Sequence, residues 1–242
     1  MPIERHIIEV SGIRVEVVRK AIKNLHLGVF PPDGRVRISS PMRMGDEALR
    51  LAVISRLGWI RRQQARFVGQ ARQSPREMVA GESHYFLGRR YRLRVIEQPG
   101  PYKVVLNGHS YLELYIRPGT DTARREKMLN DWYRSELKSR IPALIAMWEP
   151  VLGVTVAQWG VKKMKTKWGS CNSDAQRIWL NLELAKKPPL CLEYILVHEM
   201  LHMLERHHNH RFRSLLDRFY PQWQLARDTL NQAPLAHENW SY

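Results

Sequence analysis

The stretch His198-Glu199-Met200-Leu201-His202 has the pattern His-Glu-x-x-His. Successive residues of an α-helix are about 100° apart, so the two histidines lie one turn apart on the same face. Two imidazoles at this spacing can bind one tetrahedral metal ion, and the glutamate next to the first can reach a water molecule on that ion. The stretch therefore predicts a helix that presents His198 and His202 to zinc, or to another divalent transition metal, with Glu199 as the general base.

The residues around this motif predict a buried helix that begins at Pro189 and ends near residue 204. Proline suits the first turn of a helix, and apolar residues surround the motif on every side. A buried, unpaired carboxylate costs several kcal/mol, and a metal would pair it together with both imidazoles. The alternative is that both histidines are hydrogen-bonded core residues and that Glu199 forms a structural ion pair. The apolar residues are Leu190, Cys191, Leu192, Tyr194, Ile195, Leu196, Val197, Met200, Leu201, Met203 and Leu204.

A third metal ligand is expected after the motif, because a catalytic zinc has three protein ligands and leaves its fourth position to water. In a straight helix His208 would lie about 9 Å beyond His202 and face another direction. The helix must therefore break for His208 to fold back. Asn209 is a favourable N-cap for a second helix, and this places His208 at the corner between two helices. His207 and His210 remain alternative ligands.

A second motif lies upstream, where residues 163–171 read Lys-Met-Lys-Thr-Lys-Trp-Gly-Ser-Cys and residues 178–181 read Ile-Trp-Leu-Asn. Together with the histidine motif, this order resembles the YgjP-like metallopeptidases, which are relatives of the SprT-like and other minimal zinc hydrolases. The resemblance is strong over residues 155–220 and looser towards the N-terminus. At Arg206-His207 the chain departs from the family, in which Pro-Asn is expected, and this affects the expected shape of the turn.

The resemblance implies a zinc hydrolase with His198, His202 and His208 as metal ligands and Glu199 as the catalytic base. It also implies that the loop with the Trp-Gly-Ser-Cys block reaches the site and contacts substrate. The alternative is that the tryptophan anchors the core and the glycine forms a turn. The candidate substrate-binding residues are Lys165, Lys167, Trp168 and Ser170.

The composition indicates a globular protein with a large excess of positive charge. Of the 242 residues, 44% are hydrophobic and 26% are charged, and the formal net charge is +16. No apolar run approaches the roughly 20 residues of a membrane-spanning helix, and the N-terminus lacks a signal-peptide pattern. Cys171 and Cys191 are too few for a disulfide framework or a zinc pair. We therefore expect a cytoplasmic protein whose basic surface either attracts an anionic partner or is simply solvated.

The chain is expected to form an α+β fold with two domains and a boundary at residues 118–121. The N-terminal domain, residues 1–120, is predicted to be β-rich with one long helix at 46–72. Asn107-Gly108 favours the type I′ turn of a two-residue hairpin loop. Alternating apolar residues and turn residues predict hairpins at 7–17, 25–38 and 102–116.

The C-terminal domain, residues 121–242, is predicted to be zincin-like. A helix capped by Thr120 or Asp121 should run to about residue 149. A small sheet and the buried motif helix should follow. The predicted sheet elements are strands at 155–164 and 177–185, separated by a loop at 165–174.

Three functions are compatible with this sequence. A peptidase would pair an extended peptide with an edge strand at about 177–185. A nucleotide hydrolase would bind phosphates through the lysines at 162–167, and some members of the family are assigned as uridine triphosphate pyrophosphatases. The motif favours an amide substrate, whereas the net charge favours an anionic one. A nucleic-acid-associated protease of the SprT-like kind is less favoured, because no DNA-reading motif and no aromatic stripe is visible.

Overall fold

The computed structural model describes residues 4–30, 34–68, 77–164 and 167–232. It confirms the predicted α+β class. The chain divides into two compact units, one within residues 1–75 and the other within residues 76–233. This division precedes the boundary expected at 118–121, because the strands between residues 83 and 116 share one hydrophobic core with the helices that follow them. Within the described ranges, no helix is both long and apolar enough to cross a membrane.

The first unit consists of a four-stranded sheet and two helices. Its elements are β1 (Glu4–Val10), β2 (Ile13–Lys20), β3 (His26–Phe30), β4 (Arg35–Pro41), α1 (Asp46–Ile54) and α2 (Leu57–Val68). The strand order is β1-β2-β4-β3, with a parallel pair in the centre and an antiparallel pair at each edge. Alternating residues of the central strands are buried with Leu49 and Val53 of α1 and Ile60 of α2. Both hairpins predicted before residue 40 are therefore present.

The helix predicted over residues 46–72 is interrupted in the structure. The break lies at Ser55 and Arg56, between α1 and α2. The Ser55 hydroxyl donates to the Ala52 carbonyl at 3.0 Å, and a side chain that bonds to its own helix in this way competes with further helical pairing. Residues 69–72 of the predicted helix lie outside the described residues.

A second four-stranded sheet begins the second unit. Its elements are β5 (Ser83–Phe86), β6 (Arg89–Glu97), β7 (Lys103–Asn107) and β8 (Tyr111–Ile116), followed by α3 (Thr122–Leu152). The strand order is β5-β6-β8-β7, again with a central parallel pair. The Asp121 carboxylate caps α3 by accepting from the Arg124 amide at 2.7 Å, as one of the two predicted caps. One face of the sheet packs against α3 in the core.

The hairpin predicted at Asn107-Gly108 is present, but its turn is longer than expected. Asn107 pairs directly with Tyr111, so residues 108–110 form a three-residue loop instead of a two-residue type I′ turn. Gly108 still has the positive φ, 59°, that favours glycine in the turn.

A three-stranded sheet, one 3₁₀ helix and three α-helices complete the second unit. They are β9 (Gln158–Lys162), β10 (Gly169–Asn172), β11 (Arg177–Asn181), a 3₁₀ helix (Leu182–Lys186), α4 (Pro189–Leu201), α5 (His210–Phe219) and α6 (Trp223–Gln232). The strand order is β10-β11-β9. β11 is therefore the central strand, and β10 lies at one edge.

This sheet corrects two predictions. The segment 177–185 is not an edge strand: its first part is the central β11, and its second part is the 3₁₀ helix. The strand ends because the Asn181 side chain accepts from the Glu183 amide at 3.2 Å and caps that helix. The segment predicted as the loop 165–174 contains the edge strand β10.

α4 is the most buried of the three helices that follow this sheet, which confirms the prediction from its apolar surroundings. Nine of its 13 residues are buried, against two of the ten residues of α5. Strands β10 and β11 and helices α3, α5 and α6 all pack against it. The polar residues of the histidine motif are therefore presented from the interior of the unit.

Candidate metal centre

Three histidines from α4 and the turn after it form one cluster. The ligand nitrogens of His198, His202 and His208 all lie within 4.8 Å of one another. The Nε2 atoms of His198 and His208 are 2.9 Å apart. His207 and His210, the alternatives to His208, are exposed and do not belong to the cluster.

The turn after α4 brings His208 back towards the helix. α4 ends at Leu201, slightly earlier than predicted, and the amides of residues 203–205 close the turn by bonding to carbonyls of its last residues. Asn209 then caps α5, because its side chain accepts from the Phe212 amide at 2.9 Å. The cap predicted from the sequence is therefore confirmed, and His208 occupies the predicted corner between two helices.

Arg206 occupies the turn at the position where the chain departs from the family. Its Nε donates to the Ser173 hydroxyl at 3.0 Å, and its guanidinium forms an ion pair with Asp174. Both partners lie in the turn between β10 and β11. Arg206 thus connects the histidine turn to the edge of the sheet.

The imidazole orientations suit a shared ligand. His202 Nδ1 lies 3.0 Å from the Glu205 carbonyl oxygen, so that Nδ1 is the donor and the Nε2 lone pair is free for a metal. The buried Phe212 ring supports the cluster, with its centroid 4.7–4.9 Å from all three histidine rings. Among the described residues, the buried Nδ1 of His198 has no hydrogen-bond partner.

The histidines at the helix end are held in the neutral form. Burial, followed by repulsion from the neighbouring His202 and His208, lowers the pKa of His198 to about 3. Burial is also the main cause of the lowered pKa of His202. Neutral imidazole is the form that binds a metal ion.

Glu199 lies beside the cluster and is only 6% exposed. Burial raises its pKa to about 7, while Lys167 and the backbone amide of Cys171, which donates to the carboxylate, act in the opposite direction. A carboxylate whose pKa is near neutrality can accept and release a proton at physiological pH. The alternative structural ion pair requires a close cationic partner, and among the described residues no salt bridge to Glu199 is present.

Gly169 of β10 lies directly against the Glu199 side chain. A Cβ atom at this position would lie 2.6 Å from Glu199 Oε1 and 2.7 Å from its Cγ, closer than van der Waals contact allows. Gly169 is buried within a strand and not in a turn. Glycine is therefore required here by the close approach of the carboxylate and not by backbone conformation.

An open cavity of about 790 Å³ surrounds the cluster. Lys167, Trp168 and Ser170, three of the four candidate substrate-binding residues, line it, and Lys165 lies outside the described residues. Trp168 also packs against the core, so that the two interpretations of this residue are compatible. Other residues that the sequence did not single out for this role also line the cavity, among them Tyr194, Arg206, Arg227 and Asn231.

Asn181 is a positioning residue of the site. Its side-chain amide donates to the backbone carbonyls of Met164 (2.9 Å) and Lys167 (2.8 Å). It thereby ties both ends of the segment that leads into β10 to the end of β11. The motif asparagine therefore fixes the chain that carries Lys167 at the mouth of the cavity.

The free edge of β10 runs along the cavity. The backbone amide of Asn181 donates to the backbone carbonyl of Trp168 at 2.9 Å, so these two residues form a hydrogen-bonded pair at the start of β10. Because such pairs alternate along an antiparallel ladder, the backbone groups of Gly169 and Cys171 point away from β11. The Cys171 amide is one of these groups, and it bonds to Glu199.

The residues present fit a zinc ion. Three imidazoles from α4 and the turn after it converge, and a tetrahedral ion with Zn–N distances of about 2.1 Å would separate two ligand nitrogens by roughly 3.4 Å. The 2.9 Å between His198 and His208 is within a small side-chain movement of that value. The nearby glutamate is buried but lies outside the histidine cluster, as the motif predicts for a group that acts on water.

Comparison with known proteins agrees with this arrangement. The family described as "YgjP-like, metallopeptidase domain" matches residues 23–233. No curated protein sequence gives a significant match. The family description implies a metal-dependent hydrolase, and its match spans both compact units and every residue of the histidine cluster. The chain therefore belongs to the YgjP-like metallopeptidase domain family.

Proposed function

We propose that this protein is a zinc-dependent peptidase in which His198, His202 and His208 hold the metal and Glu199 is the general base. The observation that carries the proposal is the position of Glu199, buried between the histidine cluster and the free edge of β10. A carboxylate in this place has access both to water at the cluster and to a peptide lying along the strand.

Zinc in this site would supply Lewis-acid chemistry, because it makes water more acidic and polarises the carbonyl under attack. The contribution of the chain is to hold and move a proton. Glu199 would accept the proton of the attacking water on one carboxylate oxygen and donate it to the leaving nitrogen. The amide of Cys171 keeps the carboxylate oriented, and Gly169 leaves room for it beside the strand.

The substrate backbone would pair with the edge of β10. Strand addition uses main-chain hydrogen bonds, and the backbone groups of Gly169 and the carbonyl of Cys171 point to this side, while the Cys171 amide bonds to Glu199. This strand replaces the segment 177–185 that the sequence suggested for the same role. An extended peptide placed here would pass directly beside Glu199, because the carboxylate contacts Gly169.

Nucleotide hydrolysis is the second candidate, and the cationic residues at the cavity favour it. Lys167, Arg206 and Arg227 line the cavity. Two other lysines of the cluster that suggested phosphate binding have different partners: Lys162 lies over the Trp179 ring and Lys163 pairs with Glu126 at 3.1 Å. We therefore place the peptide first and a nucleoside triphosphate second, in a protein whose predicted location is the cytoplasm.

The test is hydrolysis by the zinc-loaded protein of a quenched-fluorescence peptide library beside a panel of nucleoside triphosphates. Glu199→Gln should reduce turnover about 10²–10⁴-fold, because it removes basicity and keeps size. Zinc content and thermal stability should stay close to those of the wild type. His208→Ala should lose zinc and activity together.

Glu193→Gln is the matched control. Glu193 lies on the same helix but outside the cavity, where it accepts from Trp148 Nε1 at 3.1 Å. This variant should retain turnover. Wild-type turnover by Glu199→Gln would remove the glutamate from the mechanism, and full zinc binding by His208→Ala would exclude the proposed ligand set. Release of pyrophosphate without peptide cleavage would select the second candidate.

A further inference from the structure

The outer face of the second four-stranded sheet carries a cluster of arginines and tyrosines, none of which lines the cavity described above. Tyr91 and Leu93 of β6 are buried in the core, so the alternate residues of that strand face outwards. The pairing of the strands places residues of β8 and β7 beside them on the same face. We define the arginine–tyrosine face as Arg90, Arg92 and Arg94 of β6, Tyr111 and Tyr115 of β8, and Lys103 of β7.

The charged side chains of this face are mainly positive. All three arginines and the lysine are exposed. Among the described residues, one acidic residue lies on this face: Glu113 is buried, accepts from Asn107 at 2.8 Å and from the Tyr115 hydroxyl at 2.9 Å, and lies 3.5 Å from Arg94. An ordinary solvated sheet face mixes charges of both signs, whereas this one presents four cationic side chains beside a single carboxylate.

The aromatic residues add a stacking surface. The Arg94 guanidinium lies 3.4 Å from the centroid of the Tyr111 ring. A guanidinium plane on an aromatic ring is itself a platform on which a nucleobase can stack. Tyr115 is held in place by its hydrogen bond to Glu113, and both tyrosines are partly exposed. The face therefore offers flat surfaces beside the positive charges.

The spacing of the arginines favours a single strand. Residues two apart on a β-strand are separated by about 6.6–6.8 Å, so Arg90, Arg92 and Arg94 form a straight row of charges. Successive phosphates of an extended single strand have a comparable separation, while the bases can turn towards the neighbouring tyrosines. An acidic peptide would satisfy the charges but would leave the stacking surface unused.

We infer that the arginine–tyrosine face is a binding surface for single-stranded nucleic acid. Phosphates would lie along the arginine row, and bases would stack on the Arg94–Tyr111 pair and on Tyr115. Such binding combines salt-dependent phosphate contacts with sequence-tolerant stacking. The surface is separate from the zinc centre and does not depend on the proposed peptidase activity.

The experiment is a fluorescence anisotropy titration of the full-length protein with a labelled, unstructured 15-nucleotide RNA at several salt concentrations. The double variant Arg90→Gln/Arg92→Gln should bind at least 10-fold more weakly. It should also reduce the slope of log affinity against log salt by about 1.4, because each phosphate contact on a single strand contributes about 0.7. Both side chains are exposed, so the fold is not expected to change.

The matched control is Arg213→Gln/Arg218→Gln, which removes the same two charges from exposed positions of α5. It should have a much smaller effect on affinity. Tyr111→Leu should weaken binding about 5- to 150-fold without changing the salt slope, because it removes stacking and no charge. Hydrolytic activity and the circular dichroism spectrum of each variant show whether the second unit is intact.

Three results would overturn the inference. The two double variants could lose affinity equally, which would mean that only net charge matters. Tyr111→Leu could bind like the wild type, which would exclude stacking. Polyglutamate of equal charge, or a 15-base-pair duplex, could compete with the labelled RNA as effectively as unlabelled RNA of the same sequence. That result would assign the face to another class of partner.

Discussion

The two four-stranded sheets of this protein have the same topology but are followed by different helices. In each, two antiparallel hairpins meet through a central parallel pair. In each, that central pair carries a glutamate opposite an arginine, but in reverse: Glu16 of β2 faces Arg37 of β4, whereas Arg94 of β6 faces Glu113 of β8. The shared positions indicate one structural module present twice, although no sequence repeat is visible.

The helix that follows each sheet begins at the same place. α1 begins eight residues after Ile38, at Asp46, and α3 begins eight residues after Leu114, at Thr122. The first helix ends after 9 residues and turns into a second of 12. The helix after the second sheet, α3, continues for 31 residues. Because the short pair folds back over its own sheet, the first core closes on itself, whereas the long helix extends into the core that surrounds α4.

This difference explains where the chemistry lies. Among the described residues, every buried charged residue belongs to the second unit: Glu113, Glu183, Lys187 and Glu199. A buried charge needs partners, and the second unit provides them on the outer face of its sheet for Glu113 and between α4 and β10 for Glu199. The first module is therefore expected to affect stability alone, and the second to affect both stability and catalysis.

The largest expected difference between the modules comes from adding one methyl group to a glycine. Gly169→Ala would push the Glu199 carboxylate away from β10, because the new Cβ would lie 2.6 Å from Oε1. Misplacement of a catalytic group by about 1 Å can cost roughly 100-fold in rate, so turnover should fall by about that factor while zinc content is unchanged. Steady-state kinetics with the substrate found by the panel measures this.

Gly45→Ala in the first module is the control for that substitution. The added methyl at position 45 meets no atom within 4 Å, and the φ of −72° suits alanine. Its turnover should equal that of the wild type. If both variants were equally active, the contact between Gly169 and Glu199 would not position the carboxylate.

The next effect compares two buried leucines, one in each core. Leu49→Ala in α1 and Leu137→Ala in α3 should each lower the free energy of unfolding by about 2–5 kcal/mol, because both side chains are buried in full. Only Leu137→Ala should weaken zinc binding and increase amide exchange in α4, because only that leucine shares a core with the helix. Chelator competition and hydrogen–deuterium exchange measure the two effects.

Loss of zinc affinity in Leu49→Ala would contradict the separation of the two cores. Equal exchange in α4 for both variants would do so as well. A change confined to β1–β4 and α1 is the expected result for Leu49→Ala, since its buried neighbours all belong to that module.

Much of the fold and of the candidate site could be predicted from the sequence, and each incorrect prediction has a physical cause. His198 and His202 were predictable from helix geometry and apolar surroundings, and the N-cap at Asn209 placed His208 at the corner. The choice of His208 over His207 and His210 came from the family resemblance. β10 was hidden because four residues that begin with glycine show little strand preference, and only the pairing with β11 makes them a strand. Pro118-Gly119 suggested a domain boundary, but the next residue, Thr120, is buried, so this segment is an internal turn of the second unit.

The third effect is a pH dependence that should appear only in the second unit. Burial lowers the pKa of Lys187, which is 4% exposed, from 10.5 to about 8. Below pH 8 the lysine is protonated in both the folded and the unfolded chain, so the free-energy cost of burying it does not change with pH. Between pH 8 and 10.5 the unfolded chain binds more protons, and the contribution of Lys187 to stability therefore rises by about 3 kcal/mol.

Lys187→Met should remove that rise. The difference in unfolding free energy, wild type minus variant, should be smallest near pH 7.5 and should increase towards pH 10.5. Urea unfolding at a series of pH values measures it, and Lys138→Met, at an exposed position of α3, is the control. A difference that stays flat over this range would mean that the buried amine keeps its ordinary pKa.

The smallest effect concerns the reversed ion pairs of the two sheets. Arg37 makes two bonds to Glu16, at 2.9 and 3.0 Å, and both side chains are largely shielded, at 12% and 21% exposed. Arg94 approaches Glu113 only to 3.5 Å, and its side chain is 47% exposed. A bidentate, shielded pair is stronger than a solvated one, so a double-mutant cycle should give a coupling of about 1–2 kcal/mol in the first sheet and below about 0.5 kcal/mol in the second.

A charge swap tests whether the modules are equivalent at this position. Arg37→Glu alone should destabilise the first sheet by about 2 kcal/mol, because it places two carboxylates opposite each other on neighbouring strands. The double variant Glu16→Arg/Arg37→Glu should recover more than half of that loss, since the second sheet has arginine and glutamate in this reversed order. Urea unfolding of the wild type, both single variants and the double variant gives the comparison. If the double variant is no more stable than the sum of the single losses predicts, the two sheets share a topology without sharing this interaction.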